Sequence, residues 1–363
     1  MAGIGPGPLA GQLLADLGAQ VIVVVRASYP ADKTELNRRG KQSIAVNLKS
    51  PEGVKITRNL INDASIVIER FRPGVTEKLS LGPKDLDEHV IYCRMTGWGQ
   101  TGPLAHTAGH DINYLSLTGA LGAMGQANQP AVPPLNLVAD YGGGTMFMVF
   151  GLLSAYIERL TSGKGQVVDV SMVDGVSAMM SMFHGFLANG TWQNRRSSNL
   201  LDGGAPSYRA YRTKDDKYVS VGPLEPQFFA QLIKGMGLDT SELASQNDAE
   251  TWPAKHKVYE GIFASETRDE RQEIFDGTDA CVAPVLTFDE VMDHPQNAAR
   301  GVLSEIDGVM QARPAPRFSR SGSRSPTAPV GQGSTTDSIL TTLGYSQPQI
   351  NALRAGNVLT WSK

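Results

Sequence analysis

An α/β fold on a largely parallel sheet is what this sequence predicts, and three observations carry that expectation. Five short apolar runs, at residues 20–25, 43–48, 65–69, 90–95 and 167–170, alternate with stretches of helical spacing. Hydrophobic residues make up 41% of the 363 and charged ones 19%, enough to bury a sizeable core and, at this length, to build two domains. The 39 glycines and 21 prolines punctuate apolar segments without a repeat, which excludes collagen, coiled coil and global disorder.

The chain opens on a glycine- and proline-rich turn. Leu9, Leu13, Leu14 and Leu17 then share one face of a short helix that ends near Gly18. A glycine loop ahead of a helix usually follows a strand, so either the fold starts differently or an amino-terminal strand is missing from this chain. Residues 20–25 read as a buried strand. Residues 43–48 form the next, followed by a helix over 51–61 with Pro51 near its start and Ser50 as N-cap. Strands at 65–69 and 90–95 lead into a glycine-rich loop, 95–103, and residues 114–125 are small, apolar and helical. Residues 141–160 are apolar on every side, which places them in the core, with a second subunit as one surface they could meet. A tight turn at 162–166 precedes the strand at 167–170.

Beyond Asn189 the composition changes. Residues 208–221 alternate as a hairpin around Asp215 and Asp216, helices cover 228–236 and 252–263, and 281–286 is a strand interrupted by Pro284. This gives a large domain over 1–189 and a smaller one over 190–305. Residues 306–363 are a polar linker and a carboxy-terminal segment that returns to the large domain, where Ile339, Leu340, Leu343, Ile350 and Leu353 restore helical spacing.

With 33 Lys+Arg against 36 Asp+Glu the formal charge is −3, which gives no electrostatic reason to expect a nucleic-acid partner. Cys93 and Cys281 form neither a disulfide framework nor a metal cluster, and Cys281 reads as a core residue. The longest uninterrupted apolar runs, 21–25 and 146–150, are too short to span a bilayer. Neither a signal-like opening nor a lipidation or peroxisomal tripeptide is visible, so a cytoplasmic protein without membrane insertion is expected.

The residues nearest to chemistry are His110 and Asp111. Histidine exchanges a proton near neutral pH, and a neighbouring carboxylate could orient its ring; the same pair could simply cap a helix. Asp140 stands between an apolar run and Gly142, Gly143 and Gly144. Apolar surroundings raise a carboxyl pKa, which suits proton exchange, and the triplet admits a ligand close to backbone amides; an N-cap role is the alternative. Glu225 follows the strand at 218–221 on a loop that could reach a cleft or stay solvated. Arg26, Arg38, Arg39 and Lys41, with Arg70 and Arg72, form a phosphate-binding edge if strand ends gather them, and otherwise a solvated face. Trp98 either stacks on a flat ligand or covers a hydrophobic edge. Walker, zinc-protease and CxxC patterns are absent, so no metal is expected.

Several linked motifs resemble the family III CoA transferases and, within them, the alpha-methylacyl-CoA racemase branch. These are the opening residues 2–21, the phrase Arg94-Met-Thr-Gly-Trp-Gly-Gln-Thr-Gly-Pro103, then Gly109-His-Asp-Ile-Asn-Tyr114 and Leu135-Asn-Leu-Val-Ala-Asp140. Leu201-Asp-Gly-Gly-Ala-Pro206 and Gly222-Pro-Leu-Glu-Pro-Gln227 carry the match into the second domain.

The resemblance implies a Rossmann-like large domain, a smaller α+β domain and an interlocked homodimer. It implies a racemase or epimerase that exchanges the α-proton of a 2-methylacyl-CoA thioester, with His110 on one face, Asp140 on the other, and Glu225 supporting the histidine, supplied by the partner subunit. Arg26, Arg38 and Arg39 match positions that meet the phosphate and adenine of CoA, and Arg94 belongs to the same expected binding set. No cofactor is implied beyond the CoA of the substrate, since no net electron transfer occurs. Two other readings share the fold: a CoA transferase using Asp140 as a covalent carrier, and a noncatalytic acyl-CoA-binding protein. The resemblance also implies a strand ahead of Ala2 that this chain lacks, exposing part of a parallel sheet.

Overall fold

The computed structural model describes residues 5–360, which fall into two compact units. The first takes the residues up to Thr118, Leu135–Met179 and those from Pro295 onward; the second takes Gly119–Pro134 and Met180–His294. The position ahead of Ala2 and the final tripeptide lie outside the described residues.

The first unit is mixed α/β. Its opening helix, Pro6–Asp16, begins with proline in its first turn, where the ring's fixed φ suits a helix start. Strand β1, Ile22–Val25, pairs in parallel with β2, Gln42–Ala45. The helix Pro51–Asn62 then leads to β3, Ile66–Glu69, which pairs in parallel with β4, Ile91–Thr96. Strand β5, Val167–Ser171, adds in parallel to the other side of β4. The sequence suggests one parallel sheet; the described strands form two parallel pieces, β1–β2 and β3–β4–β5. As the middle strand, β4 buries Ile91, Tyr92, Cys93 and Met95 on both of its faces.

The segment 141–160, expected in the core, divides differently. Leu137–Met146 winds as a π-helix and Phe147–Ser162 continues as an α-helix. Only one face, with Met148, Leu152 and Ala155, is buried in this chain. Phe150, Ile157 and Leu160 are 70%, 66% and 70% exposed, because a single side of the helix meets β4 and β5. The two helical parts together span 26 residues, Leu137–Ser162, long and apolar enough by length and composition to cross a membrane, which the short uninterrupted runs had not suggested. The segment expected to be helical over 114–125 is also divided, into Asp111–Leu117 and Ala120–Ala123, with Gly119 at φ +81° between them.

The second unit is α+β. Strands β6, Arg209–Arg212, and β7, Tyr218–Val221, form the expected antiparallel hairpin, and β8, Val282–Val285, pairs with the far side of β7. Pro284 is accommodated because β8 is an edge strand. Tyr211, Phe229, Tyr259, Phe263 and Phe275 bring the sheet together with the helices Pro226–Gly235, Trp252–Phe263 and Arg268–Phe275 in one core. Tyr211 and Phe263 stack with ring centroids 4.9 Å apart. The last of these helices had no sequence assignment, although Thr267 and Glu270 form a capping box at its start.

Back in the first unit, β9, Leu303–Ile306, and β10, Val309–Ala312, make a hairpin turned by Asp307 and Gly308, both at positive φ. The closing helices Thr336–Thr342 and Gln347–Ala355 bury Ile339, Leu340 and Ile350 against Ile44 and Ile56. The hairpin also receives Arg39. This arginine is 2% exposed, pairs with Asp16 at 2.6 Å, and donates to the Gln311 side chain and the Ala312 carbonyl.

Removing one member of a buried ion pair leaves the other charge uncompensated, which costs about 3–5 kcal/mol. Asp16→Ala is therefore expected to lower the urea unfolding free energy by about that amount, and adding Arg39→Met to recover part of it. A loss below about 1 kcal/mol, the surface-pair range, would contradict a structural role for the pair.

Candidate active site

The site is built where the loop after β4 turns back on itself. Gly97 and Gly109 both face the Tyr114 ring, and a Cβ on Gly97 would lie 2.0 Å from a ring carbon, so only glycine permits this closure. Trp98 meets Tyr114 edge-on, with centroids 4.7 Å apart, and the Tyr114 hydroxyl donates to the Gly109 carbonyl. Trp98 thus covers an aromatic edge of the protein itself. His110 comes next, exposed, and its backbone N–H donates to Asn113 Oδ1 at 3.1 Å.

Asp111 is 7% exposed and does not cap its own helix. Its Oδ2 accepts the backbone N–H groups of Ala139 and Asp140 at 2.9 and 2.8 Å. The residue after the histidine therefore fastens the backbone that carries the second candidate, Asp140. That carboxylate is half-buried and accepts a 3.4 Å hydrogen bond from the Asn136 side-chain amide. A Cβ on Gly5, which has φ +75°, would stand 3.2 Å from Asp140 Oδ2, so the chain's opening turn borders the same carboxylate. Thr145 donates from its hydroxyl to the Pro6 carbonyl at 3.0 Å and ties the π-helical segment to the first helix.

Burial pushes the Asp140 carboxyl above the ordinary carboxylate value, and the charge of Asp111 adds to the shift. The Asn136 hydrogen bond and the nearby Arg70 and His110 pull in the other direction. The balance favours the protonated form of this carboxyl more than in an exposed aspartate. The glycine triplet has a different use from the ligand approach expected of it. A Cβ on Gly175 would fall 2.1 Å from the Gly143 carbonyl, so the glycines let the helix Met172–Met179 cross the π-helical segment at close range.

The remaining expected residues have surroundings of their own. Arg94 is engaged by Glu69 at 3.0 Å and Glu77 at 2.7 Å. Arg39 is buried against Asp16, with no face left for an anion. Arg38 is half-buried and pairs with Glu35, whereas Arg26 is exposed. Glu225 belongs to the second unit, exposed at the start of the helix Pro226–Gly235, while His110 and Asp140 belong to the first. Cys281, expected in the core, is exposed at positive φ. Cys93 is buried, and burial pushes its thiol up to about 12, which makes it inert. Sequence reading left Asp111 as a helper of the histidine and Arg70 on a phosphate edge. The structure gives Asp111 to the Asp140 backbone and puts Arg70 beside the Asp140 charge. Among the described residues, no group of three His, Cys, Asp or Glu side chains is placed to hold a metal ion.

The sequence model described as CoA-transferase family III matches residues 1–333. The chain is 41% identical to the alpha-methylacyl-CoA racemase of Mus musculus over 372 residues, covering 100% of this chain and 96% of the mouse protein. It is 40% identical to the alpha-methylacyl-CoA racemase of Homo sapiens over 373 residues, with the same coverage of 100% and 96%. Among solved structures it is similar to a CaiB/BaiF family protein from Brucella suis, with a TM-score of 0.80, 26% identity, and 94% and 97% of the two chains covered.

The surroundings of Asp140 make a signed prediction. Arg70→Met removes a cation that lowers the Asp140 pKa and should raise it, while Asp111→Asn removes an anion and should lower it. Because folding raises this pKa, the group favours the folded state below its unfolded value, and that contribution is lost as pH rises through the folded value. Carboxyl carbon NMR titration reads both shifts; identical titration curves in the two variants would contradict the electrostatic account.

Proposed function

Because the chain belongs to CoA-transferase family III, we propose that it is an isomerase that interconverts (2R)- and (2S)-2-methylacyl-CoA thioesters. The observation that carries this reading is the 40–41% identity, over the whole chain, to two curated alpha-methylacyl-CoA racemases. The geometry supports it: a solvent-facing histidine and a half-buried carboxyl are fastened together through Asp111.

The chemistry follows from the residue types. A thioester carbonyl acidifies the neighbouring C–H, so a side-chain base can remove the proton if the resulting enolate is stabilised. In one direction neutral His110 takes the α-proton from one face and protonated Asp140 returns a proton to the other. The reverse direction needs the opposite pair of protonation states, so the two groups titrate as a coupled pair. Burial that raises the Asp140 pKa favours its proton-holding form. In the same reading, backbone amides of the glycine-rich loop stabilise the enolate oxygen.

For the charged end of CoA, exposure favours Arg26 and Arg38. Arg39 and Arg94, both held in ion pairs, then act by keeping that edge in shape. The large domain is read as Rossmann-like, on the strength of parallel strands joined by helices. We place two chains in an interlocked homodimer, each supplying Glu225 to support the other's His110. The exposed apolar face of Phe150, Ile157 and Leu160 supports a subunit contact.

His110→Ala and Asp140→Asn are each expected to slow racemisation by about 100- to 10,000-fold, followed by chiral chromatography of the released acids. Retained activity in either variant would sink the two-base assignment, and transfer of CoA to added carboxylic acids through an Asp140 adduct would favour the transferase reading. Co-expressed His110→Ala and Glu225→Gln chains should recover activity that neither has alone, since mixed dimers hold one complete site. Failure to complement would remove Glu225 of a second copy from the mechanism.

A further inference from the structure

Glu225 sits on the loop 222–227, and the second unit fastens that loop on either side of it. At the start, the Gly222 N–H donates to the Cys281 carbonyl at 3.0 Å, next to the pairing of β7 with β8. At the end, the Glu225 carbonyl accepts the N–H groups of Phe228 and Phe229 at 3.1 and 3.0 Å, in the first turn of the helix Pro226–Gly235. Glu225 is the N-cap of that helix, yet its side chain makes no capping hydrogen bond, and the residue is exposed. The backbone is held while the carboxylate stays in reach of solvent.

Between those two points the chain keeps a loose joint. Pro223 and Pro226 each fix their own φ, and Pro226 confines Glu225 to extended backbone, observed at φ −79° and ψ 144°. The tilt of the Leu224–Glu225 peptide plane is left, and it decides where the Glu225 side chain points. Gln246 settles that tilt. Its Nε2 donates to the Leu224 carbonyl at 2.9 Å, from a residue 22 positions further along and only 7% exposed. Gln246 is held in turn. The buried Trp252 donates its indole N–H to the Gln246 carbonyl. Lys255 Nζ donates to the carbonyl and hydroxyl of Ser245 at 3.0 and 2.8 Å, and pairs with Glu242 at 3.0 Å. Burying a long amide side chain costs rotamer freedom and hydration. The hydrogen bond that it makes in return lands on the peptide that carries Glu225.

We infer that Gln246 is a positioning residue for the proton exchange: its buried amide fixes the Leu224–Glu225 peptide and thereby aims the Glu225 carboxylate. The inference rests on the reading in which Glu225 supports the His110 of a second copy. Gln246 touches no reacting group and acts through Glu225. Its loss should therefore misplace one carboxylate and leave the packing of the second unit in place.

The test compares full-length Gln246→Met, which keeps the length of the side chain and loses the donor, with Glu225→Gln and with the double variant. Gln246→Met is expected to lower kcat for racemisation of a 2-methylacyl-CoA about 10- to 100-fold with KM unchanged. Amide hydrogen exchange over residues 222–229 should quicken, while the remaining peptides of the second unit keep their rates. Added to Glu225→Gln, the same substitution should cost little more, because a residue acting through a carboxylate has no effect once that carboxylate is gone. Losses that multiply in the double variant, or unchanged exchange over 222–229, overturn the inference. Full activity in Gln246→Met beside a slowed Glu225→Gln overturns it alone. Full activity in Glu225→Gln overturns the reading beneath it and removes Gln246 from the reaction as well. Gln246→Glu decides if Gln246→Met fails to fold. A carboxylate cannot donate to the Leu224 carbonyl and a carboxylic acid can, so kcat relative to the unaltered chain should recover as pH falls. A ratio independent of pH overturns the inference.

Discussion

The Asp111 carboxylate accepting the backbone N–H groups of Ala139 and Asp140 is the contact on which the site depends. It joins a loop that follows β4 to a helical segment nearly thirty residues further along, and it does so one residue after His110. Both N–H groups lie at the start of a π-helical stretch, where helical partners are missing, so an external acceptor is required. A carboxylate supplies it at charge-assisted strength and, being buried, has little freedom to choose another partner. The relative placement of the histidine and the second carboxyl is therefore set by hydrogen bonds from backbone N–H groups to one side chain.

Around that contact the packing leaves little slack. Gly97 and Gly109 close the loop on Tyr114, Gly143 and Gly175 let two helices cross at backbone distance, and Thr145 ties the π-helical stretch to Pro6. The same close packing half-buries Asp140 and raises its pKa, so the geometry that locates the group also sets its proton affinity. The arginine-rich edge behaves differently. Arg39 and Arg94 are consumed by internal ion pairs and brace the frame, while Arg26 and Arg38 retain exposed surface.

Much of the fold was legible because its signals are local. Proline in the first turn marks the helix Pro51–Asn62, and the alternation across 208–221 marks the hairpin β6–β7. The Asp307–Gly308 turn and the Thr267–Glu270 capping box were equally local signals, read only once β9–β10 and Arg268–Phe275 were seen. What sequence could not supply is long-range. Apolar patterning put residues 141–160 in the core, but which side of that helix meets β4 and β5 is decided by strand positions. His110 and Asp140 were legible as chemical types and through motif resemblance. The partner of Asp111 was not, because a side-chain to backbone hydrogen bond across 28 residues leaves no periodic trace.

The central claim is that one epimer loses its α-proton to one face of the site and regains a proton from the other. It is tested most directly by incubating the protein with a single epimer of a 2-methylacyl-CoA in deuterated water, following deuterium at C2 and chirality together in the first turnovers. The expected result is that the opposite epimer appears carrying deuterium from its first detection, while the starting epimer begins with little label and gains it as the reverse reaction proceeds. Appearance of the opposite epimer without label, or no exchange at C2 by a folded, substrate-bound protein, would contradict it.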